Sequence, residues 1–316
     1  MIVEIDLFMD YLSVERNMSG NTIDAYNHDL QRFLDFMLSD EAVSELYGVE
    51  VEYDGQDVKA GSITKDTIRA FIEYRYDEGL SRSSIQRTLA TLKSFFKFLH
   101  NRDIIPGNPA ASVAFPKRER KLPHFLTVKQ VNTLLDFPLE KFIDFRDRAL
   151  LELFYSSGAR VSELVTADYS DCDLKNAALR VWGKGSVERF VFLTGDSVDT
   201  MEQYLVERKK KFGSITEPLF VNNRGERITQ RGIFYTLEKR AGQVGFPGKL
   251  TPHMLRHSFA TEMMNQGADL RAVQEMLGHR SLSTTQLYTH TTKRRLQDIY
   301  DRYHPHSGST KGTGEK

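Results

Sequence analysis

Apolar residues recur at three- and four-residue spacing over positions 2–17 (Ile5, Phe8, Met9, Leu12) and again from Ile23 through Tyr26, Leu30, Phe33 and Leu34 to Met37. That period marks helices with one buried face, and Ser19 stands where the second needs an N-cap. Between 39 and 62 the rhythm stops. Acidic residues mix there with Gly48, Gly55 and Gly61, which predicts an exposed acidic loop. Within it VEVEYDGQDVKA carries an Asp-Gly turn signal and predicts a short hairpin. Thr64 then caps a third helix through Asp77, and Ser81 a fourth through Leu99. The fourth sets Ile85, Leu89, Leu92, Phe95 and Phe96 against Arg82, Arg87, Lys93 and Lys97. Four antiparallel helices within residues 1–105 make a small bundle.

Pro106, Gly107, Asn108 and Pro109 end that bundle, and Pro116 and Pro123 bracket Lys117, Arg118, Arg120 and Lys121. Residues 106–124 therefore read as a linker, either a solvated tether or a strap lying on a phosphate backbone. A second domain spans 125–305. Thr127 caps a short helix, and a strongly apolar one runs from Phe142 to Tyr155 and stops at Ser156-Ser157-Gly158. Arg160 and the helix VSELVTA follow at once. An arginine there either projects into a cleft from rigid supports or lies exposed at a helix start. ALRVWGKGSVERFVFL reads as two strands around residues 183–186, with Lys184 at the turn and Arg189 as a sheet-face or DNA-backbone contact. The glycine-rich turn is no P-loop, because the required spacing is absent. Helices over 197–212 and 230–244 follow, separated by a short strand at 219–221. The expected architecture is mainly α in two domains: a four-helix bundle, then a mixed α/β domain, mostly helical with a small antiparallel sheet. Residues 306–316 are expected to be a disordered tail.

Charge changes this picture in one respect. Basic and acidic residues both number 43, and a net charge of zero argues at first against a polyanionic partner. The distribution is uneven: residues 1–116 hold 11 basic and 19 acidic groups, seven of the acids falling between Asp40 and Asp57. The remainder is therefore basic, and local field governs binding more than the total does. No run of eighteen apolar residues marks a membrane span, and the acidic N-terminus has no signal-peptide character. The single cysteine, Cys172, excludes an internal disulfide framework and fits a reducing cytoplasm, so a cytoplasmic location is expected. It reads as a buried small hydrophobe.

The richest stretch chemically is TPHMLRHSFATEMMNQGADLRAVQEMLGHRSLSTTQLYTH, from Thr251 to His290. Thr251 suits an N-cap and Pro252 the first helical position, with Leu255, Phe259, Met263 and Met264 as the core face. His253 and Arg256, three apart, share another face near the helix start, where backbone dipoles favour a phosphate. A second run, Asp269 to Leu277, is stopped by Gly278, and His279 follows on the turn. A third brings Tyr288 nine residues after His279. His253 and His257 lack the glutamate and the third ligand of a zinc helix, so no metal site is expected and His257 reads as a buried core histidine.

H-x-x-R, then L-G-H, then a tyrosine nine residues on, resembles the C-terminal half of the tyrosine recombinase (phage integrase) family. LRHSFAT, DLRAVQEMLGH and SLSTTQLYTH are most similar to the Xer recombinases, G-A-R-V-S-E-L matches the family's first arginine motif, and S-x-N-T-x-x-x-Y-x-x-D-L-x-x-F at 19–33 is similar to its core-binding domain. The resemblance covers residues 2–305. It implies a SAM-like N-terminal core-binding domain and a C-terminal catalytic domain, forming a C-shaped clamp on DNA. It also implies a catalytic set of Arg160, Lys184, His253, Arg256, His279 and the nucleophile Tyr288, without cofactor, metal or ATP.

The implied chemistry is coherent. A tyrosine hydroxyl titrates near ~10, so nearby cations must favour the phenolate. Arginine forks suit the non-bridging phosphate oxygens, the histidines donate or relay protons, and Lys184 protonates the leaving 5′-oxygen. Arg82, Arg87, Lys117, Arg118, Arg120, Lys121 and Arg231 are the candidate DNA contacts, with the rest of the stretch from Gln230 to Arg240. Implied partners are double-stranded DNA with paired inverted half-sites, a homotetramer or a heterotetramer with a second recombinase, and a cell-division activator. The final helix, TTKRRLQDIYDRYHP, is expected to find little to pack on in its own domain and to dock into a neighbour. Resolution of chromosome dimers at cell division is the implied role. A mobile-element, plasmid or integron recombinase and a DNA-binding relative with an idle site stay open, while the final helix argues against a monomeric type IB topoisomerase.

Overall fold

The computed structural model describes residues 1–38, 47–48, 50–54, 57–115, 125–183, 188–278 and 290–306, without the side chains of 290 and 291. The chain forms two compact units, Met1–Lys121 and Leu122–Lys316.

The first unit is built on α1 (Ile2–Asp10, extended by a π turn over Tyr11–Glu15), α2 (Gly20–Leu38), α3 (Lys65–Asp77) and α4 (Arg82–Asn101). Thr64 accepts from the Thr67 amide and Ser81 from the Ser84 amide, satisfying amides that a helix start leaves open. Ile5, Phe8, Leu30, Phe33, Phe71, Leu92, Phe95 and Phe96 are fully or almost fully buried in one core. Asp29 is buried with them. Its carboxylate accepts from Arg87 at 2.7 Å and from the Thr88 and Thr91 hydroxyls at 3.0 Å each, which locks α2 to α4.

Two strands, β1 (Tyr53–Asp54) and β2 (Asp57–Val58), pair antiparallel within the acidic stretch. The stretch is not the wholly exposed loop expected. Val58 is fully buried, and Asp57 accepts the N-terminal ammonium of Met1 at 2.6 Å, with Val58 O taking a second bond from it. Part of the acidic charge is thus a clasp that seats α1. Residues 39–46, 49 and 55–56 lie outside the described residues, as do 116–124 of the linker and the tail 307–316.

In the second unit α5 (Val128–Leu135) and α6 (Phe142–Ser157) precede α7 (Val161–Thr166). A three-stranded antiparallel sheet follows, β3 (Cys172–Asp173), β4 (Ala178–Trp182) and β5 (Glu188–Phe192), with Leu179 opposite Val191. Helices α8 (Gly195–Phe212), α9 (Gln230–Gln243), α10 (Pro252–Asn265), α11 (Leu270–Leu277) and α12 (His290–Tyr303) complete it. Helix α6 is buried along most of its length and is the axis on which the others pack. The expected strand at 219–221 reduces to isolated bridges, Asp168 with Pro218 and Val221 with Arg227. Among the described residues no helix is long and apolar enough to cross a membrane.

Helix α12 departs from expectation. It packs on its own domain: Leu296 and Tyr300 are each 1% exposed, within a cluster that includes Phe192, Phe259, Met263 and Met276. The Tyr300 hydroxyl donates to Ser156 O at 3.0 Å. The amphipathic face visible in the sequence has a partner after all, made from segments far away along the chain.

Candidate active site

Helix α6 ends because Gly158 takes a left-handed conformation (φ 58°), which lets the chain turn sharply into Arg160. Arg160 opens α7. Its backbone N–H donates to Glu163 Oε2 at 2.7 Å and its guanidinium to Glu163 Oε1 at 2.8 Å. The remaining fork reaches Gly278 O at 3.0 Å. Helix α10 starts at Pro252 with Thr251 accepting from the Met254 amide, and one turn later Arg256 points at the same place. Arg256 donates to Gly158 O at 2.6 Å and to Leu277 O at 2.5 Å. Both candidate arginines therefore converge on the C-terminal turn of α11, whose last carbonyls have no partner within the helix. His253 is exposed on α10, one turn before Arg256.

Of the two readings of Arg189, a sheet-face or a DNA-backbone contact, its place in β5 leaves only the first. It is 3% exposed, so it contacts no DNA backbone. Its guanidinium donates to Glu163 at 2.7 and 3.3 Å and also to Met276 O. Charge signalled a cation, yet nothing local in β5 showed that it turns inward. Glu163, named in the sequence only as part of a motif, proves to be the buried hub. Burial pushes its carboxyl up, but the charge and hydrogen bonds of Arg189 and Arg160 outweigh that and hold it below its ordinary value. Arg256 moves the other way: burial, then Arg160 and Arg189, push its guanidinium down to about 9, still charged at neutral pH. Three guanidinium groups around one carboxylate leave an excess of positive charge, which an incoming anion would relieve.

Lys184, His279 and Tyr288 lie outside the described residues, as do Lys117, Arg118, Arg120 and Lys121. The structure therefore brings together Arg160 and Arg256, with His253 on the same helix as Arg256. Arg82 and Arg231 are exposed at the starts of α4 and α9. Arg87 is tied to Asp29, with its side chain 46% exposed. On α9, Tyr235 and Lys239 face outward, but Arg240 turns inward to Asp147 at 2.8 Å and Asp144 at 2.5 Å, so the expected contact surface excludes it. His257 is half-buried, with its ring edge-on to Phe125, rather than the buried core histidine expected. Cys172 is half-buried, and burial, then Asp173 and Asp171, push its thiol up to about 12, which leaves it inert as a nucleophile. Among the described residues no three His, Cys, Asp or Glu side chains gather as a metal cage.

A helical N-terminal SAM-like bundle and a mostly helical second domain with a small antiparallel sheet make the fold of the tyrosine recombinases, enzymes that cleave and rejoin DNA. The phage integrase family matches residues 124–295, and the phage integrase N-terminal SAM-like domain matches 5–47 and 53–103. The chain belongs to this family. It is 39% identical over 312 residues to "Tyrosine recombinase XerC" of Pelotomaculum thermopropionicum, covering 96% of this chain and 99% of that one. It is 37% identical over 304 residues to "Tyrosine recombinase XerD" of Oceanobacillus iheyensis, covering 95% and 98%. Among solved structures, the XerH site-specific recombinase bound to a palindromic difH substrate in a post-cleavage complex aligns with a TM-score of 0.66. Its identity is 24%, over 90% of this chain and 81% of that one, a likeness of fold.

Proposed function

We propose that the chain is a site-specific recombinase of Xer type that cuts each DNA strand through a 3′-phosphotyrosyl intermediate and resolves chromosome dimers at cell division. The observation that carries this reading is the convergence of Arg160 and Arg256 on the turn at Leu277 and Gly278, at a site with an excess of positive charge. A scissile phosphate brings the anion that such a site lacks.

In the proposed step the Tyr288 oxygen bonds to phosphorus, its proton passing to His253. Arg160, Arg256 and His279 bind the non-bridging oxygens as negative charge grows on them. The bond to the 5′-oxygen breaks, and Lys184 supplies the proton that makes it a hydroxyl. Rejoining runs the same steps backward from another strand's 5′-hydroxyl, and the phosphotyrosine has kept the bond energy. The partner is duplex DNA with inverted half-sites, bound by four subunits, either four of this chain or two each of this chain and a second recombinase. Relatives named XerC and XerD support the second arrangement. A cell-division protein is proposed as the activator. Because α12 sits on its own domain, any exchange of that helix between neighbours begins by leaving this seat.

The test is a nicked suicide duplex built on the half-sites that the protein selects from a randomised pool, incubated without metal or ATP. A covalent adduct with the parent protein and none with Tyr288→Phe is expected. Binding without any adduct would favour a DNA-binding relative with an idle site.

A further inference from the structure

Arg189 is a buried cation that the proposed reaction leaves unused, and its partners join Glu163 to the end of α11. Its Nε and one terminal nitrogen grip both oxygens of Glu163, a forked pairing with a carboxylate that is 1% exposed. The same carboxylate takes the backbone N–H and one guanidinium nitrogen of Arg160. Four N–H donors thus occupy it, about its full capacity. The other terminal nitrogen of Arg189 donates to Met276 O. The last three carbonyls of the α11 turn are shared out in order: Met276 to Arg189, Leu277 to Arg256, Gly278 to Arg160. Gly278 lies so close over these groups that a Cβ would come within 3.0 Å of Arg189 Cδ and 3.5 Å of Arg160.

We propose that Arg189 is a positioning residue for strand cleavage. It holds Arg160 at its working angle through Glu163, and through Met276 O it fixes the turn at Leu277 and Gly278 that ends α11. This rests on the reading that Arg160 and His279 act on the scissile phosphate. Arg189 is too deeply buried to touch that phosphate itself. Its second effect is on charge. While Arg189 shares Glu163, Arg160 keeps part of its charge for an incoming anion. Without Arg189, Glu163 pairs with Arg160 alone and the site loses one positive charge. Lysine cannot replace it in full, because a single ammonium cannot grip both carboxylate oxygens in a fork and also reach the carbonyl.

The experiment measures single-turnover adduct formation at saturating protein on the suicide duplex, with the parent, Arg189→Gln, Arg189→Lys and Tyr288→Phe. Each is run on a normal scissile phosphate and on a methylphosphonate, which is neutral and demands less charge stabilisation. Arg189→Gln is expected to bind DNA within about threefold of the parent and to cleave the phosphate about 100-fold more slowly. On the methylphosphonate that deficit should shrink about tenfold, a change that a general loss of folding would not produce. Arg189→Lys should recover part of the rate. Tyr204→Phe, which deletes a buried hydroxyl donating to Leu219 O, serves as the destabilised control and should cleave at the parental rate. A folded Arg189→Gln that cleaves within about threefold of the parent, or whose deficit is equal on both substrates, overturns the proposal. If Arg189→Gln does not fold, the same comparison is made with Arg189→Lys, and equal deficits again overturn it. Absence of adduct with the parent, or adduct with Tyr288→Phe, would instead overturn the underlying cleavage reading.

Discussion

Gly158 joins the helix that organises the second unit to the arginine that opens the site, and replacing it with alanine tests whether that turn sets the geometry. Two penalties are separable. The left-handed backbone (φ 58°) disfavours any Cβ by about 1–2 kcal/mol. The new methyl would also lie 2.6 Å from Phe259 Cδ1 and 3.0 Å from Leu277 Cδ2, closer than such atoms approach. Forcing a methyl into a packed interior adds about 1–3 kcal/mol. Gly245 has nearly the same conformation (φ 65°) with nothing within 4 Å of its added Cβ, so Gly245→Ala carries only the first penalty. The expected losses are about 3 kcal/mol for Gly158→Ala and about 1 kcal/mol for Gly245→Ala, read from urea denaturation. The melting temperatures should fall by roughly 6–12 °C and 2–4 °C respectively. Activity should separate them further. Phe259 lies one turn from Arg256 on α10, Leu277 offers it a carbonyl, and Gly158 offers the other. Gly158→Ala should therefore slow adduct formation at temperatures where it is still folded, and Gly245→Ala should not. Equal stability losses for the two variants would refute the reasoning, since the close approach would then count for nothing.

Two pH predictions follow from groups behind the site. Glu152 is 4% exposed, one of its oxygens has no partner among the described residues, and burial raises its carboxyl to about 7. The folded value lies above the unfolded one, so the stabilising proton is fully held below about pH 4.5 and stability is lost as pH rises through 7, by about 3 kcal/mol. Glu152→Gln should match the parent's pH trend near pH 4.5 but lack this loss at pH 8.5 in denaturation curves, and parallel curves would count against it. His304 behaves oppositely: 4% exposed among Tyr155, Phe259 and Tyr300, it is held neutral by burial, then by His306, with its value lowered to about 3. Its folded value lies below the unfolded one, so its contribution is present above about 6.5 and is lost as pH falls, by about 2 kcal/mol at pH 5. His304→Phe keeps a ring there and should flatten that slope between pH 6.5 and 5, while a slope unchanged by the variant would show that the loss arises elsewhere.

Much of this was written locally. Thr64, Ser81, Thr127 and Thr251 each accept the capping bond their type suggests, and the three-four apolar rhythm gives the helices between them. What the sequence withheld is which way a charged side chain points when its partner is distant. Arg189 precedes three consecutive apolar residues in β5, so no alternation marks its direction, and its carboxylate lies 26 residues back. Arg240 reads with Arg231 as part of one contact helix, yet nine residues put it on the opposite face, where it closes on Asp147, 93 positions away. Helix α12 looked unpartnered because Tyr300 meets Ser156 across 144 residues. Periodicity reports that a face is buried; it does not report against what.

That same limit explains why the arginine pair was legible and its support was not. A phosphate site needs guanidinium groups, and the motifs name them. Arginines left loose in water would spread over many rotamers and offer a phosphate no fixed geometry. Here Arg160, Arg189 and Arg256 each spend donors on backbone carbonyls at the end of α11, and Arg160 and Arg189 share a buried carboxylate. The carboxylate must be present to order the arginines, and it must be shared, because an unshared one would cancel the charge it orders. The second arginine answers both requirements, and only the folded chain shows where it is.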